Sequence, residues 1–190
     1  MICGYSMRIT QTCRNNFNRL TNNGTTMGDF THIISICCPD DDSIKPINEN
    51  HLVLKMWDVD EVLENQFRKY EPPSEDLCAE VIKAVDSWVM QYGHDLRLLI
   101  HCDAGVSRSA AIALGVVWII SNFFFRNSIP DNLSRDYIIA RKEFCASLID
   151  TESNSHFLKW YIEGKNLLRG VKPNQAILRH YRKSLTYFPW

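Results

Sequence analysis

The chain has 190 residues, of which 45% are hydrophobic, and a formal net charge of −1 at neutral pH. This length and apolar content fit one globular domain with a substantial core, so we interpret residues 1–190 as a single domain. A near-zero net charge excludes the strongly basic surface of many proteins that bind nucleic acid or anionic membranes, so we expect neither partner.

Seven cysteines are spread irregularly along the chain, and their spacing matches no metal site such as Cys-x2-Cys with a distant second pair. An odd number of unpatterned cysteines favours a reducing compartment. The first residues lack a basic segment followed by an apolar core, so we expect no signal peptide and a cytoplasmic location.

Strands and helices alternate along the first half of the chain. Strands are predicted over residues 7–10, 31–36 and 51–56, where apolar and β-branched side chains form short runs between turn residues. A helical turn is predicted over residues 15–20. The acidic triplet at residues 40–42 is interpreted as a solvated turn, since no matching metal ligands lie near it in the sequence.

The next helix is delimited at both ends by the sequence. Ser74 suits the N-cap, and two acidic residues follow it in the first turn. Apolar residues then recur at helical spacing up to Gly93, which can close the helix. Residues 96–100 form a short apolar run that predicts a buried strand.

The remaining elements are predicted to be helices. Residues 110–125 are almost wholly apolar, but the run is shorter than the ~20 residues that a membrane span needs, so we expect a buried core helix. A break at residues 129–131 precedes a helix over residues 133–148. Two more helices are predicted over residues 156–168 and 173–185, the last with Pro173 in its first turn.

This order of elements predicts an α/β domain with a central, mostly parallel sheet of four to five strands that is flanked by helices. Functional sites in such sheets lie beyond the carboxyl ends of the strands. The loops at Cys37, Asp58 and Cys102 all follow predicted strands. We therefore expect these three loops to converge at one edge of the sheet.

The loop after the strand at residues 96–100 carries one cysteine and one arginine among small residues: His101-Cys102-Asp103-Ala104-Gly105-Val106-Ser107-Arg108-Ser109. A loop that leads into a helix points several backbone N–H groups at one place, and the helix dipole adds partial positive charge there. Such a site binds an oxyanion and favours the thiolate form of Cys102. The planar guanidinium of Arg108 can bind two phosphate oxygens.

The pattern His-Cys-x5-Arg-Ser resembles the signature of the cysteine-dependent protein tyrosine phosphatases, most of all their dual-specificity and small bacterial or phage branches. The resemblance covers most of residues 31–181 and is less clear over residues 1–30. It implies a tyrosine-phosphatase-like fold in which Cys102 attacks phosphorus and forms a phosphocysteine. It also implies that Arg108 and the backbone of residues 103–108 bind the phosphoryl group, that Ser109 helps the thiolate leave, and that His101 orients the loop.

The leaving oxygen needs a proton, and one carboxyl group can supply it and later activate water. In the family that the chain resembles, this group is an aspartate on a separate loop, usually upstream. Asp58 and Asp60 are the candidates here. We favour Asp58, because an aromatic or apolar strand end shortly precedes the acid in the family, and Asp60 stays open as the alternative.

We therefore predict a phosphoprotein phosphatase that hydrolyses phosphate monoesters without a metal or cofactor. Phosphotyrosine is favoured, and phosphoserine and phosphothreonine stay open because sequence does not give the depth of the pocket. The loop has no lysine, whereas relatives that act on phosphoinositides commonly carry loop lysines. The alternative is an inactive phosphate-binding scaffold of the same fold, which the intact Cys102, Arg108 and Ser109 disfavour. We expect a monomer whose partners are phosphorylated proteins or peptides.

Overall fold

A four-stranded parallel sheet organises the part of the chain that the computed structural model describes, namely residues 7–64, 68–125, 135–150, 155–164, 172–185 and 188–190. The sheet has the spatial order β1-β6-β2-β3, and a separate two-stranded hairpin pairs β4 with β5. All pairings in the large sheet are parallel, which confirms the α/β class predicted from the sequence. The strands are β1 (Arg8–Cys13), β2 (His32–Cys37), β3 (His51–Lys55), β4 (Leu63–Glu64), β5 (Lys69–Tyr70) and β6 (Arg97–Cys102).

Helices cover both faces of the sheet. The described helices are α1 (Arg14–Leu20), α2 (Glu75–Tyr92), α3 (Arg108–Phe125), α4 (Arg135–Leu148), α5 (Ser155–Ile162) and α6 (Gln175–Ser184), with a 3₁₀ turn at Gly93–Asp95. On one face, alternate side chains of β2 and β6 join the large core with α2 and α3. On the other face, Phe17 of α1 packs with Phe30, Ile33 and Leu99 in a smaller cluster.

Helix α3 lies at the centre of the large core and begins directly after the cysteine loop. Every residue from Arg108 to Ser121 is buried, and α3 contacts α2, α4, α6 and the strands β1 and β6. By length and composition alone α3 could cross a membrane, but 78% of it is buried inside the protein. Its apolar composition is therefore explained by these neighbours, as expected for a core helix.

Most element boundaries match the sequence predictions within two residues, with four differences in the described residues. The hairpin of β4 and β5 was not predicted, and β1 continues to Cys13 rather than ending at residue 10. Pro173 lies before the N-cap of α6 rather than in its first turn, because Asn174 is the N-cap and accepts a hydrogen bond from the Ile177 N–H. The helix predicted over residues 156–168 ends at Ile162, because a turn at residues 163–164 follows, in which Gly164 has a positive φ. The predicted break at residues 129–131, and residues 133, 134 and 165–168 of two predicted helices, lie outside the described residues.

Strand β1 makes the N-terminal segment part of the fold, whereas the resemblance seen in the sequence was weak over residues 1–30. It pairs with β6 along its whole length, so that Cys13 lies opposite Cys102. Its central residues, Thr10, Gln11 and Thr12, are polar and buried. A pattern of alternating apolar and polar residues therefore could not identify it, since the buried positions carry hydrogen-bonding side chains.

Candidate active site

The cysteine loop joins the carboxyl end of β6 to the first residue of α3. Cys102 is the last residue of β6 and Arg108 the first residue of α3. Gly105, at the middle of the loop, has φ +69°, and a Cβ placed there would lie 2.7 Å from the Cys13 nitrogen. Glycine is therefore required both by the left-handed backbone and by the close approach of β1.

The carbonyl groups of the loop are held from outside the loop. One donor from β1 and one from the start of α1 each bind one loop carbonyl, and the segment before α6 binds two. A loop whose carbonyl oxygens bind outside partners keeps its N–H groups for the inside, as an oxyanion site requires. The bonds are Arg14 N to Asp103 O (3.1 Å), Gln11 Nε2 to Gly105 O (2.8 Å), Lys172 N to Val106 O (3.0 Å) and Asn174 N to Ser107 O (3.3 Å).

Cys102 is almost completely buried at the base of the loop, with 2% of its surface exposed. Its Sγ lies 3.1 Å from Ser109 Oγ, and Ser109 is itself fully buried in the first turn of α3. A hydroxyl at this distance can donate to a thiolate, and the amino end of α3 adds partial positive charge. Sulfur, hydroxyl and helix end are thus arranged to stabilise a nucleophilic thiolate.

Arg108 is buried beside the loop and its guanidinium has several partners. Nη1 donates to the Met56 carbonyl (3.0 Å) and lies 3.7 Å from Cys38 Sγ, and Nη2 donates to Asp103 Oδ2 (2.6 Å). Burial alone would lower the pKa of Arg108, but the hydrogen bond that it donates to Asp103 and the nearby negative charges raise that pKa above its usual value. The guanidinium is therefore a fixed positive charge at the loop.

The Asp103 carboxylate bridges two arginines at the mouth of the loop. Its Oδ2 pairs with Arg108 and its Oδ1 lies 2.8 Å from Arg14 Nη2. Arg14 also pairs with Asp41 at 2.6 Å, and hydrogen bonds from Ser43 and Arg14 lower the pKa of Asp41 to about 2. An acidic side chain thus lies against the guanidinium that was expected to bind phosphate.

Asp58 and Asp60 have different surroundings. Asp58 Oδ1 accepts hydrogen bonds from Ser107 Oγ (2.6 Å) and Asn174 Nδ2 (3.2 Å), and its Oδ2 lies 3.8 Å from Arg108 Nε. Asp60 instead accepts from the backbone N–H groups of residues 175 and 176, at the amino end of α6. Asp58 therefore lies at the cysteine loop, while Asp60 caps a helix.

His101 is fully buried behind the loop in a chain of side chains that crosses the sheet. Ser35 Oγ lies 2.6 Å from both His101 Nε2 and His51 Nε2, and His51 Nδ1 accepts from the Ile47 N–H. His51 therefore donates to Ser35, and Ser35 donates to His101. The ring of His101 also stacks on Phe17 at 3.8 Å, so its orientation is fixed from two sides.

Burial of three histidines should make the protein less stable in mild acid. Burial lowers the pKa of His32 and His51 to about 4, and burial together with the charges of Arg14 and His51 lowers that of His101 to about 3. In the unfolded chain these three rings take up protons below about pH 6.5, whereas in the folded protein the same rings stay neutral. We expect the free energy of unfolding to fall from pH 6.5 towards pH 4, by up to about 4 kcal/mol per pH unit.

Urea unfolding at pH 7.5, 6.0 and 5.0 measures this dependence. His32→Phe keeps an aromatic ring against Trp88 but removes one titrating group, and should reduce the slope by about a third. Equal stability at pH 5.0 and pH 7.5 would contradict the neutral state of the buried rings.

A cavity of about 670 Å³ opens beside the loop. It lies between the Asp58 segment and the amino end of α6, and its wall includes the exposed apolar side chain of Val106. Its volume is within the range of about 300–1,000 Å³ that is usual for ligand sites. The lining residues are Asp58, Asp60, Ala104, Val106, Ser107, Tyr161, Lys172, Pro173, Asn174 and Gln175.

The structure brings together the loops at Cys37, Asp58 and Cys102, and it adds residues that the sequence did not single out. Arg14 directly follows β1, whose carboxyl end lies at the same edge as Cys102. Had β1 been predicted to reach Cys13, the rule that sites lie at carboxyl ends would have found Arg14. Ser35 and His51 have no comparable signal, since their contact depends on the register between strands.

Of three comparisons with known proteins, the search of solved structures finds similar proteins. A scan against protein-family models finds no match, and no curated protein matches the sequence. Among solved structures, OH1 from the Orf virus, a tyrosine phosphatase with triple substrate specificity, has a TM-score of 0.52 at 16% identity and covers 95% of this chain and 83% of that chain. The Yvh1 phosphatase domain from Chaetomium thermophilum has a TM-score of 0.46 at 16% identity, with 92% and 88% covered.

A further similar structure is the human tyrosine phosphatase-like serine/threonine/tyrosine-interacting protein, with a TM-score of 0.41, 18% identity, and 91% and 84% of the two chains covered. The likeness to the viral enzyme is one of fold. The chain therefore has the fold of the cysteine-dependent protein tyrosine phosphatase superfamily, which confirms the fold that the cysteine loop implied.

Proposed function

We propose that the protein is a cysteine-dependent phosphatase that hydrolyses phosphate monoesters on proteins, with Cys102 as the nucleophile. The observation that carries this proposal is the position of Cys102 Sγ. It lies 3.1 Å from Ser109 Oγ, at the amino end of α3, and its loop also holds Arg108 and contacts Asp58. Nucleophile, cation and carboxyl group then surround one oxyanion site, as phosphoryl transfer requires.

In the proposed reaction the Cys102 thiolate attacks phosphorus and the bond from phosphorus to the leaving oxygen breaks. The Arg108 guanidinium and the loop N–H groups stabilise the charge on the equatorial oxygens. Asp58 gives its proton to the leaving oxygen, and its carboxylate then takes a proton from the water that cleaves the phosphocysteine. Ser109 donates a hydrogen bond to the departing thiolate.

The contacts of Asp58 are consistent with this role. Its Oδ1 is fixed by Ser107 and Asn174, so Oδ2 is the oxygen left to carry the transferable proton. Asp58 also lines the cavity in which the substrate side chain would lie. The acid is thereby held beside both the loop and the leaving group.

Phosphotyrosine is the proposed substrate. The cavity beside the loop has the volume of a ligand site, and Val106 on its wall presents an apolar surface of 36% exposure against which an aromatic ring can pack. Lys172, which also lines the cavity, can pair with an acidic residue of a phosphopeptide. Phosphoserine and phosphothreonine have shorter side chains and would make fewer contacts with the walls of this cavity.

Turnover of para-nitrophenyl phosphate and of a phosphopeptide panel, each in the presence of a chelator, tests the proposal. We expect hydrolysis without added metal, with phosphotyrosine peptides turned over faster than phosphoserine peptides. The alternative, an inactive phosphate-binding scaffold, predicts that phosphate or vanadate binds to the protein with no turnover of any substrate. Phosphate or vanadate binding without hydrolysis of any substrate would therefore contradict the phosphatase proposal and favour the inactive scaffold.

Asp103 should weaken the binding of phosphate. Its carboxylate pairs with Arg108 at 2.6 Å, so a phosphoryl dianion must displace it or lie beside it. Asp103→Asn removes that competing charge, and we expect the KM for para-nitrophenyl phosphate and the inhibition constant of vanadate to fall roughly two- to fivefold. Asp42→Asn, which removes an exposed carboxylate paired with Lys55, is the matched charge control.

Steady-state kinetics at constant ionic strength measures both constants. A higher KM in Asp103→Asn, with Asp42→Asn unchanged, would mean that Asp103 holds Arg108 in its binding position and does not compete with the substrate.

A further inference from the structure

Gln11 lies beneath the cysteine loop, on the strand that the sequence resemblance covers least. Its side chain is fully buried. Its Nε2 lies 2.8 Å from the Gly105 carbonyl oxygen and 2.8 Å from Ser109 Oγ. One amide thus contacts both the middle of the loop and the hydroxyl that faces the Cys102 sulfur.

The Gly105 contact determines which way the Gln11 amide points. A carbonyl oxygen can only accept a hydrogen bond, so the Gln11 atom that faces it must be the nitrogen. The amide nitrogen has two N–H groups. One donates to Gly105 and the other to Ser109 Oγ, so both donors of this side chain act on the loop and on α3.

The orientation of the amide determines in turn where the Ser109 proton goes. Ser109 Oγ contacts Gln11 Nε2 and Cys102 Sγ. The amide nitrogen cannot accept a hydrogen bond, so of these two partners only the sulfur can accept the Ser109 proton. The Gln11 N–H occupies one acceptor position of Ser109 Oγ, so the single proton of the Ser109 hydroxyl points to Cys102 Sγ.

The second N–H of Gln11 holds the backbone. Because it binds the Gly105 carbonyl, it fixes the plane of the peptide between Gly105 and Val106. In a trans peptide the C=O and N–H point in opposite directions, so the Val106 N–H points away from Gln11. The same amide thereby orients one donor of the loop and one donor to the thiolate.

We propose that Gln11 is a positioning residue that stabilises the Cys102 thiolate by orienting the Ser109 hydroxyl, while its other N–H holds the Gly105 peptide of the loop in place. This inference rests on the proposed function only in taking Cys102 as the nucleophile. It assigns to the N-terminal strand a role in setting the pH range over which the cysteine is reactive. Because Gln11 acts through Ser109, the effects of replacing the two residues should not add.

The rate of Cys102 alkylation by iodoacetamide, measured by peptide mass between pH 4 and pH 9, tests the inference. Gln11→Met keeps the size of the side chain but has no N–H donor. We expect the pH midpoint of alkylation to rise by roughly 0.5–1 unit in Gln11→Met and at least as much in Ser109→Ala. The double variant should match Ser109→Ala, since the Gln11 effect needs the hydroxyl.

Thr10→Val is the matched control for a change in the same strand. Thr10 is buried next to Gln11, but its hydroxyl contacts Asp150 and not the loop. In Thr10→Val the pH midpoint of Cys102 alkylation should equal that of the unchanged protein, even if the variant is less stable. A wild-type midpoint in Gln11→Met, or a double variant whose shift is the sum of the two single shifts, overturns the inference.

Gln11→Glu provides a second variant that keeps the polar side chain. Its carboxylate can accept the Ser109 proton, so the hydroxyl turns away from Cys102 and the midpoint should rise further than in Gln11→Met. A midpoint at or below the wild-type value in Gln11→Glu counts against the inference. Alkylation reports the state of Cys102 whether or not the protein turns over phosphate, so a failure of the proposed function and a failure of this inference give different results.

Discussion

Cys102→Ser should abolish phosphatase turnover while phosphate and vanadate still bind. The variant keeps the loop N–H groups and Arg108 but replaces the thiolate by a hydroxyl, which is almost wholly protonated at neutral pH and a far weaker nucleophile. We expect kcat for para-nitrophenyl phosphate to fall by at least about 10⁴-fold. Spectrophotometric turnover gives kcat, and calorimetry with vanadate gives the binding constant.

Cys145→Ser is the matched control for this substitution. Cys145 is fully buried within the core, and burial raises its pKa to about 12, so it is not a nucleophile at neutral pH. Its replacement should leave kcat unchanged. Full activity in Cys102→Ser, or an equal loss in both variants, would exclude Cys102 as the nucleophile.

Asp58→Asn should slow the hydrolysis of phosphotyrosine by roughly 10²- to 10⁴-fold, the usual range for general acid–base catalysis. Asparagine keeps the size of the side chain but has no carboxyl proton to donate. The loss should be smaller for aryl phosphates whose phenols are more acidic, because such phenoxides leave with little protonation. The alkaline limb of the pH–rate profile should flatten in the same variant.

Asp60→Asn separates the two acidic candidates. The Asp60 carboxylate accepts from two backbone N–H groups at the start of α6. Asparagine keeps an acceptor oxygen there, so the variant loses only the negative charge at the helix end, and stability should fall by roughly 0.3–1 kcal/mol. The hydrolysis rate of Asp60→Asn should depend on the acidity of the leaving phenol no more strongly than the rate of the unchanged protein does. If the rate loss depends on the leaving group in Asp60→Asn and not in Asp58→Asn, then Asp60 and not Asp58 is the general acid.

The sequence contained enough local information to predict the fold and the loop. Helix α2 shows why: Ser74 caps it by accepting from the Leu77 N–H, and Gly93 ends it with a positive φ, as the sequence predicted. The cysteine loop likewise joins a short buried strand to an apolar helix. Both features depend on residues that are close together in the sequence, so the sequence alone is enough to predict them.

Contacts that depend on strand register could not be read in the same way. Gln11 meets the loop because β1 pairs with β6 so that Cys13 lies opposite Cys102, although the two strands are far apart in the sequence. The sequence favoured Asp58 over Asp60 only through the family resemblance, whereas the placement of α6 gives the two carboxylates different partners. The pairing of Asp103 with both Arg14 and Arg108 depends on the position of α1, which the sequence does not give.

Trapping the covalent intermediate is the most direct test of the central claim. The protein is mixed with excess para-nitrophenyl phosphate, quenched in acid within milliseconds, digested, and its peptides are weighed. A mechanism through a phosphocysteine predicts one phosphoryl group on the peptide that contains Cys102, and none in Cys102→Ser. It also predicts more of the phosphorylated peptide in Asp58→Asn if loss of the base slows hydrolysis of the intermediate more than its formation. Turnover that proceeds with no phosphorylated Cys102 at any quench time, and that persists in Cys102→Ser, would contradict it.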